Sequence, residues 1–391
     1  LSSLITDYAI DLLRANKGLA IQNKVHPYFQ RQVIAQLKGD VEFEFPEKGK
    51  KHIHVLNGIL EKRDDGFELC EFSPDYYSRV QLPIAFDPGA DCPRFKGELL
   101  RPNLSKDDFD ALKMVMGQIV LGRNISQILV VLVGRGGNGK STLLSIIQLL
   151  VALENVVQLR MDALGGRFEM SNYLRKSLIY GSDVSAHFLS SKNAGLLKSL
   201  TGGDRMRTEF KHGNDLVEFN GSQNIFLTAN SRLRVKLEGD FSAWHRRLFL
   251  IDFKGEPPSK PIVDFDMVLI DEEGPGILNF ALEGLVQLES EMARSGRFPK
   301  THAQVMRVER LLEESDSVRT FARLGLRQGH GVRINNDEMK SAYRSFCESR
   351  DWSSEVKGNF GEQVQSEIQS MWGESQKRDG KTRHWSNLEI V

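Results

Sequence analysis

The stretch Gly134-Arg-Gly-Gly-Asn-Gly-Lys-Ser141 limits what this chain can fold into more than any other. It follows the apolar run Ile128–Val133 and leads into a helix predicted over Thr142–Val151. A strand, a glycine-rich loop closed by Gly-Lys-Ser, and a helix make a phosphate cradle. Glycines let successive backbone N–H groups turn inward around an anion, and the helix N-terminus adds its dipole. In that reading Gly134, Gly136, Gly137, Asn138 and Gly139 wrap the phosphates and Lys140 reaches the terminal ones. The Ser141 hydroxyl ligates Mg²⁺, with Thr142 next to it at the helix start. A glycine-rich turn that merely caps a helix would have to match the pattern by chance, about one time in a hundred for a chain of this size and composition.

A nucleoside triphosphatase also needs an acid at the end of a neighbouring buried strand. Ser177-Leu-Ile-Tyr-Gly-Ser-Asp183 supplies one, 43 residues past Lys140. A second apolar strand, Asn224-Ile-Phe-Leu-Thr-Ala-Asn230, ends in an amide that can hold the attacking water or touch the terminal phosphate. His245-Arg246-Arg247 stands immediately before a third strand, Leu248–Phe253. Arginine stabilises charge on a transferred phosphoryl group; a solvated pair ending a helix is the plainer reading. Short buried strands alternating with helices from about 105 to 290 call for a parallel sheet covered on both faces, with the Pro-rich 255–261 interrupting after a strand.

Outside this core, turn signals at Asn57-Gly58, Asp64-Asp65-Gly66 and Asp87-Pro88-Gly89 break alternating segments, after a helix predicted at 8–14. That zone reads as a small α+β domain. Residues 208–219 read as a hairpin whose tip carries Lys211 and His212. Such a tip can grip single-strand phosphates, or simply be solvated. The tail has helical stretches at 318–326 and 337–348, then a hairpin turning at Asp379-Gly380 and flanked by Lys377, Arg378, Lys381 and Arg383. Those four cations fit duplex phosphates or plain solvent.

The chain has 391 residues, 40% hydrophobic and 27% charged, which suits two or three folded domains and excludes a disordered or disulfide-built chain. Lys plus Arg equals Asp plus Glu at 52 each, so no global positive field draws nucleic acid and any such contact must use local clusters. Three separated cysteines fit a reducing compartment, and His52 and His54 read as strand-face residues rather than metal ligands. The longest apolar run is too short to cross a membrane and no secretion signal opens the sequence, so a cytoplasmic location is expected. A start without Met is expected of a fragment or a processed product.

Taken in order, these elements resemble superfamily 3 helicases of the poxvirus D5 and phage P4 primase-helicase type. The likeness rests on Gly-Gly-Asn-Gly-Lys-Ser-Thr, Leu-Leu-Lys-Ser-Leu-Thr-Gly-Gly-Asp, Thr-Ala-Asn and the aromatic-rich approach to Arg-Arg. Residues 56–100 are similar to the D5 N-terminal domain, and the tail from Glu314 to the family's C-terminal winged helix. The resemblance implies an α/β fold with an AAA+ P-loop core at 105–300, a D5-type domain at 1–104 and a winged-helix domain at 301–391. It implies a homohexameric ring moving on single-stranded and forked DNA, driven by ATP and Mg²⁺, in phage or mobile-element replication, with a primase or polymerase as a further partner. Lys140, Ser141, Asp183 and Asn230 would form the ATP site, with Ser141 and Asp183 on the metal. Arg246 or Arg247 would reach the neighbour's nucleotide, and Lys211 would match a basic residue of the pore hairpin. Two departures stand out: Ser182-Asp183 replaces the family's acidic pair, and His245 displaces a tryptophan to Trp244. Two rivals keep the phosphate loop but put it to another use. One is an ATP-switched origin-binding or loading factor, the other a small-molecule kinase.

Overall fold

The computed structural model describes residues 52–391 apart from 64–65, 74–75, 77–79, 210–215, 232, 236, 238–240, 355, 357–358 and 380–381. The helix expected at 8–14, the turn at 64–65 and the tip residues Lys211 and His212 lie outside the described residues, as does Lys381.

The core is a five-stranded parallel sheet. Its strands are β4 (Leu129–Gly134), β5 (Val156–Gln158), β6 (Leu178–Gly181), β9 (Asn224–Ala229) and β10 (Leu248–Phe253), in spatial order β10-β4-β9-β6-β5. Both faces are covered, so the strands read as unbroken apolar runs. Alternation then divides them: Val130, Leu132, Phe226, Phe249 and Ile251 join one core, while Leu129, Val131, Ile225, Leu227 and Leu250 join the other. This is a mixed α/β fold whose parallel sheet is consistent with a nucleotide-binding core.

On the first face lie α1 (Lys106–Val120), α2 (Lys140–Leu150) and α5 (Phe265–Ser295). α5 runs for 31 residues with Pro275 inside it, a length not predicted from the sequence. Gly117 and Gly284 let α1 and α5 touch backbone to backbone, since a Cβ at either would collide with the other helix's main chain. The same core takes Ile53, Val55 and Leu60 from the antiparallel sheet β1 (His52–Val55), β2 (Gly58–Arg63) and β3 (Gly66–Cys70). Phe95, Leu99 and Leu100, from a π-helical stretch at Phe95–Leu100, join it too. The described apolar residues of this stretch thus share a core with the parallel sheet.

The second face carries α3 (Gly195–Gly202) and α4 (Phe241–Arg247), with the hairpin β7 (Arg205–Glu209) and β8 (Leu216–Asn220) between them in sequence. It also takes Val308, Leu311 and Leu312 from α6 (His302–Ser315). Arg307 fixes α6 there, its guanidinium reaching Asp108 on α1 at 2.8 Å and Asp252 on β10 at 3.3 Å. α6 thus packs on the sheet, and a third core begins with Val318.

That third core lies among α7 (Ser317–Leu324), β11 (Leu326–Asn335), α8 (Asn336–Glu348), α9 (Phe360–Trp372), β12 (Lys377–Asp379) and β13 (Thr382–Ile390). Its sheet runs β11-β13-β12, all antiparallel. Asn335 caps α8 by accepting from the N–H groups of Asp337 and Glu338, with Glu338 closing the capping box. Among the described residues no helix is long and apolar enough to cross a membrane.

Candidate nucleotide site

The loop after β4 turns because Gly137 and Gly139 take φ of +82° and +96°, where a side chain would be strained. A Cβ on Gly139 would also fall 2.9 Å from Leu99 Cδ1. Gly134 closes β4 against the end of β10, where a Cβ would collide with the Phe253 carbonyl. That carbonyl accepts from Asn138 Nδ2 at 2.6 Å. Lys140 is buried, and its Nζ folds back onto the Arg135 carbonyl and onto Asn138 Oδ1 at 3.2 Å. Burial lowers its pKa, opposed by the charge of Asp183.

Asp183 sits just past β6 with φ at +46°, a left-handed conformation that Asp tolerates better than most residues. Its N–H donates to Thr228 Oγ1 at 2.9 Å, and its Oδ1 accepts from Asn230 Nδ2 at 3.1 Å. Both Asp183 and Asn230 are exposed, at the end of the sheet where the glycine loop opens. Gly136, Gly137, Asn138, Gly139, Lys140, Ser141, Thr142, Asp183 and Asn230 all line one cleft of about 500 Å³.

The far wall of that cleft holds residues that sequence reading did not single out. They are Leu99 within the π-helical stretch, Pro102 and Asn103 just after it, Pro258 and Pro261 from the Pro-rich connection, and Ile262 and Phe265 beyond it, Phe265 opening α5. The connection lies here because β10 pairs with β4, which delivers residue 254 onward beside the loop. A Pro-rich stretch directly after a strand was the available signal. Glu98 and Glu256 also line the cleft, the only carboxylates there besides Asp183 among the described residues.

The arginine pair is elsewhere: neither Arg246 nor Arg247 lines the cleft. Arg247 is buried, its Nη2 at 2.7 Å from where a Cβ on Gly202 would stand, and Arg246 is exposed. The cations gathered along the β7–β8 hairpin are partly matched: Arg205 and Arg207 both pair with Glu218, Arg207 at 2.7 Å. On the tail hairpin Lys377 and Arg383 are exposed, and Arg378 stands opposite Arg383 across the ladder. His52 and His54 lie on β1, with pKa values lowered mainly by burial, and no metal-binding group of side chains occurs among the described residues.

Residues 132–247 match the sequence profile of a family of unknown function, DUF5906. No curated protein matches the sequence. Among solved structures, two A-form apo structures of the NrS-1 C-terminal region are similar, at 13% and 12% identity and a TM-score of 0.45 each. The first match covers 78% of this chain and 77% of that one, the second 93% and 91%. A further apo structure of that region gives 11% identity and a TM-score of 0.40, covering 88% and 97%. At such scores the likeness carries no argument about the site, which rests on its own residues.

Proposed function

We propose that this chain is an ATP-driven DNA helicase motor of the superfamily 3, AAA+ type, working as a ring in phage or mobile-element replication. The observation that carries this reading is the convergence of Lys140, Ser141, Asp183 and Asn230 on one cleft. The glycine loop binds the triphosphate, and Lys140 leaves the Arg135 carbonyl to meet its terminal phosphates. Ser141 and Asp183 offer a hydroxyl and a carboxylate, hard oxygen donors that suit Mg²⁺, which would neutralise phosphate charge. Asn230 positions the attacking water beside Asp183. Arg246 serves a neighbouring subunit's nucleotide, a reading supported by its exposure away from the cleft of its own chain.

The tail is read as a winged helix, supported by the element order α7-β11-α8-α9-β12-β13 and the sheet order β11-β13-β12. Lys377, Arg378, Lys381 and Arg383 on its last hairpin would grip duplex phosphates, while Lys211 and His212 would contact the single strand. A homohexamer in a host cytoplasm, with a primase or polymerase as partner, completes the reading.

The test is strand displacement from a forked DNA with ATP, comparing the wild type with Lys140→Ala. ATP-dependent displacement lost in the variant supports the helicase. ATP-dependent assembly on DNA without displacement would instead identify a loading factor, and phosphate transfer to a small molecule without DNA a kinase.

A further inference from the structure

Lys300 lies in the connection between α5 and α6, and its side chain is largely buried beneath the end of α4. Its Nζ donates to the carbonyls of His245 at 3.3 Å, Arg246 at 3.2 Å and Leu248 at 2.9 Å. The first two belong to the last turn of α4, whose carbonyls a helix leaves without an internal partner. A cation there also complements the helix dipole. Burial lowers the Lys300 pKa to about 8, so near neutral pH it remains the ammonium that these carbonyls favour.

The rest of α4 is held as firmly. Trp244 is fully buried, with the Lys198 ammonium 5.5 Å from its ring centre. Arg247 packs against Gly202, and His245 Nε2 stands 3.4 Å from Glu309. Trp244 and Arg247 face inward and Arg246 faces solvent. A helix of seven residues has too few internal bonds to fix that orientation alone.

We infer that Lys300 is a positioning residue: it clamps the carbonyl end of α4 so that Arg246 is presented to the nucleotide of a second copy of this chain. The inference rests on the proposed role of Arg246 in a neighbour's site. Replacing Lys300 leaves the carbonyls of His245 and Arg246 unmet and frees the end of α4 to shift. A misplacement of about 1 Å in a catalytic group costs on the order of 100-fold in rate.

DNA-stimulated ATPase of the full chain tests this with Lys300→Met, Lys300→Arg, Arg246→Ala and the double variant Lys300→Met/Arg246→Ala. Lys300→Met is expected to lower kcat by roughly 10- to 100-fold with KM for ATP within about twofold. Lys300→Arg is expected to recover part of the rate, and the double variant to be no slower than Arg246→Ala. Equal slowing by Lys300→Met in both backgrounds would overturn the positioning role while leaving the arginine reading intact. A wild-type rate in Arg246→Ala would overturn that reading, and this inference with it. Should Lys300→Met not fold, the same comparison with Lys300→Arg decides: slowing in both backgrounds alike again overturns the role.

Discussion

Asn230 Nδ2 lies 3.1 Å from Asp183 Oδ1, joining the ends of β9 and β6 beside the glycine loop. Two strands adjacent in the sheet but 47 residues apart in sequence thus present an amide and a carboxylate as one unit. The bond engages Oδ1 of a carboxylate that lines the cleft.

Asp183→Asn separates charge from shape. Asn also tolerates the φ of +46°, so the variant should fold and still bind nucleotide, whereas Asp183→Ala adds about 1 kcal/mol or more of backbone strain. ATP turnover of Asp183→Asn should fall by at least about 100-fold, the scale of losing a carboxylate that stabilises charge at the phosphates. Nucleotide binding followed by a fluorescent ADP analogue, beside steady-state ATPase, checks both halves. Near-normal turnover would remove Asp183 from the chemistry.

Gly134→Ala probes how the loop is tied to the sheet. Its Cβ would press on the Phe253 carbonyl, which already accepts from Asn138, so β4 and β10 must part at their ends. Overpacking of this kind costs about 1–3 kcal/mol. The melting temperature should drop by several degrees, and nucleotide affinity should fall with it because Asn138 moves. Calorimetry with and without ADP measures both changes.

Much of this site was legible in the sequence, for reasons that are local. Gly134 to Ser141 declare a phosphate loop because backbone N–H groups can converge only where side chains are absent. Asp183 and Asn230 declare strand ends because Leu178–Gly181 and Asn224–Ala229 are buried runs that stop at polar residues. Less could be read where pairing decides. The Pro-rich stretch after a strand marks Pro258 and Pro261 as part of a connection without saying that they face the loop; the pairing of β10 with β4 brings them there. Likewise Arg246 and Arg247 are equivalent as letters, and only the seating of α4 on Gly202 buries the second. Nor do the turn signals of the N-terminal zone say where its apolar residues are covered: Ile53, Val55 and Leu60 join the core of the α1–α5 layer.

Lys300 should make stability depend on alkaline pH. Asp107, Asp110 and Glu291 line the same depression, and burial lowers its pKa from 10.5 to about 8. Between those values the unfolded chain still holds the proton that the folded chain has released. Stability therefore rises with pH across that window wherever the unfolded state binds more protons. The full difference corresponds to about 3 kcal/mol. Urea unfolding at about pH 7.5 and about pH 10 should show the wild type gaining on Lys300→Met; a constant gap between the two would exclude the shift.

Glu218 restrains the hairpin's cations. Arg207 and Arg205 hold its carboxyl below the usual carboxylate range, and both arginines remain largely exposed. Glu218→Gln removes the charge that matches them without shortening the side chain. Single-strand DNA affinity should rise several-fold at low salt, with a steeper salt dependence, since released arginines can displace counterions from phosphates. Fluorescence anisotropy against salt measures this, and an unchanged curve would mean that the hairpin strands stand clear of DNA.

The tail makes the sharpest contrast between affinity and sequence preference. On α9 the exposed positions are Glu362, Gln363, Ser366, Gln369 and Ser370, with no cation among them. The cations stand instead on the hairpin: Lys377 and Arg383 are exposed, and Arg333 lies 3.9 Å from Asp379, the one acid between them. A duplex held there meets phosphates first, and phosphate contacts position a protein without reading bases. Duplex binding should therefore vary little with sequence and fall steeply with salt. Changing Lys377, Arg378, Lys381 and Arg383 together to Ala should lower the slope of log affinity against log salt by up to about 3.6, about 0.9 for each phosphate that is no longer neutralised. A slope that stays the same would place duplex contact elsewhere, and a strong preference among unrelated duplexes would show that the tail reads base edges.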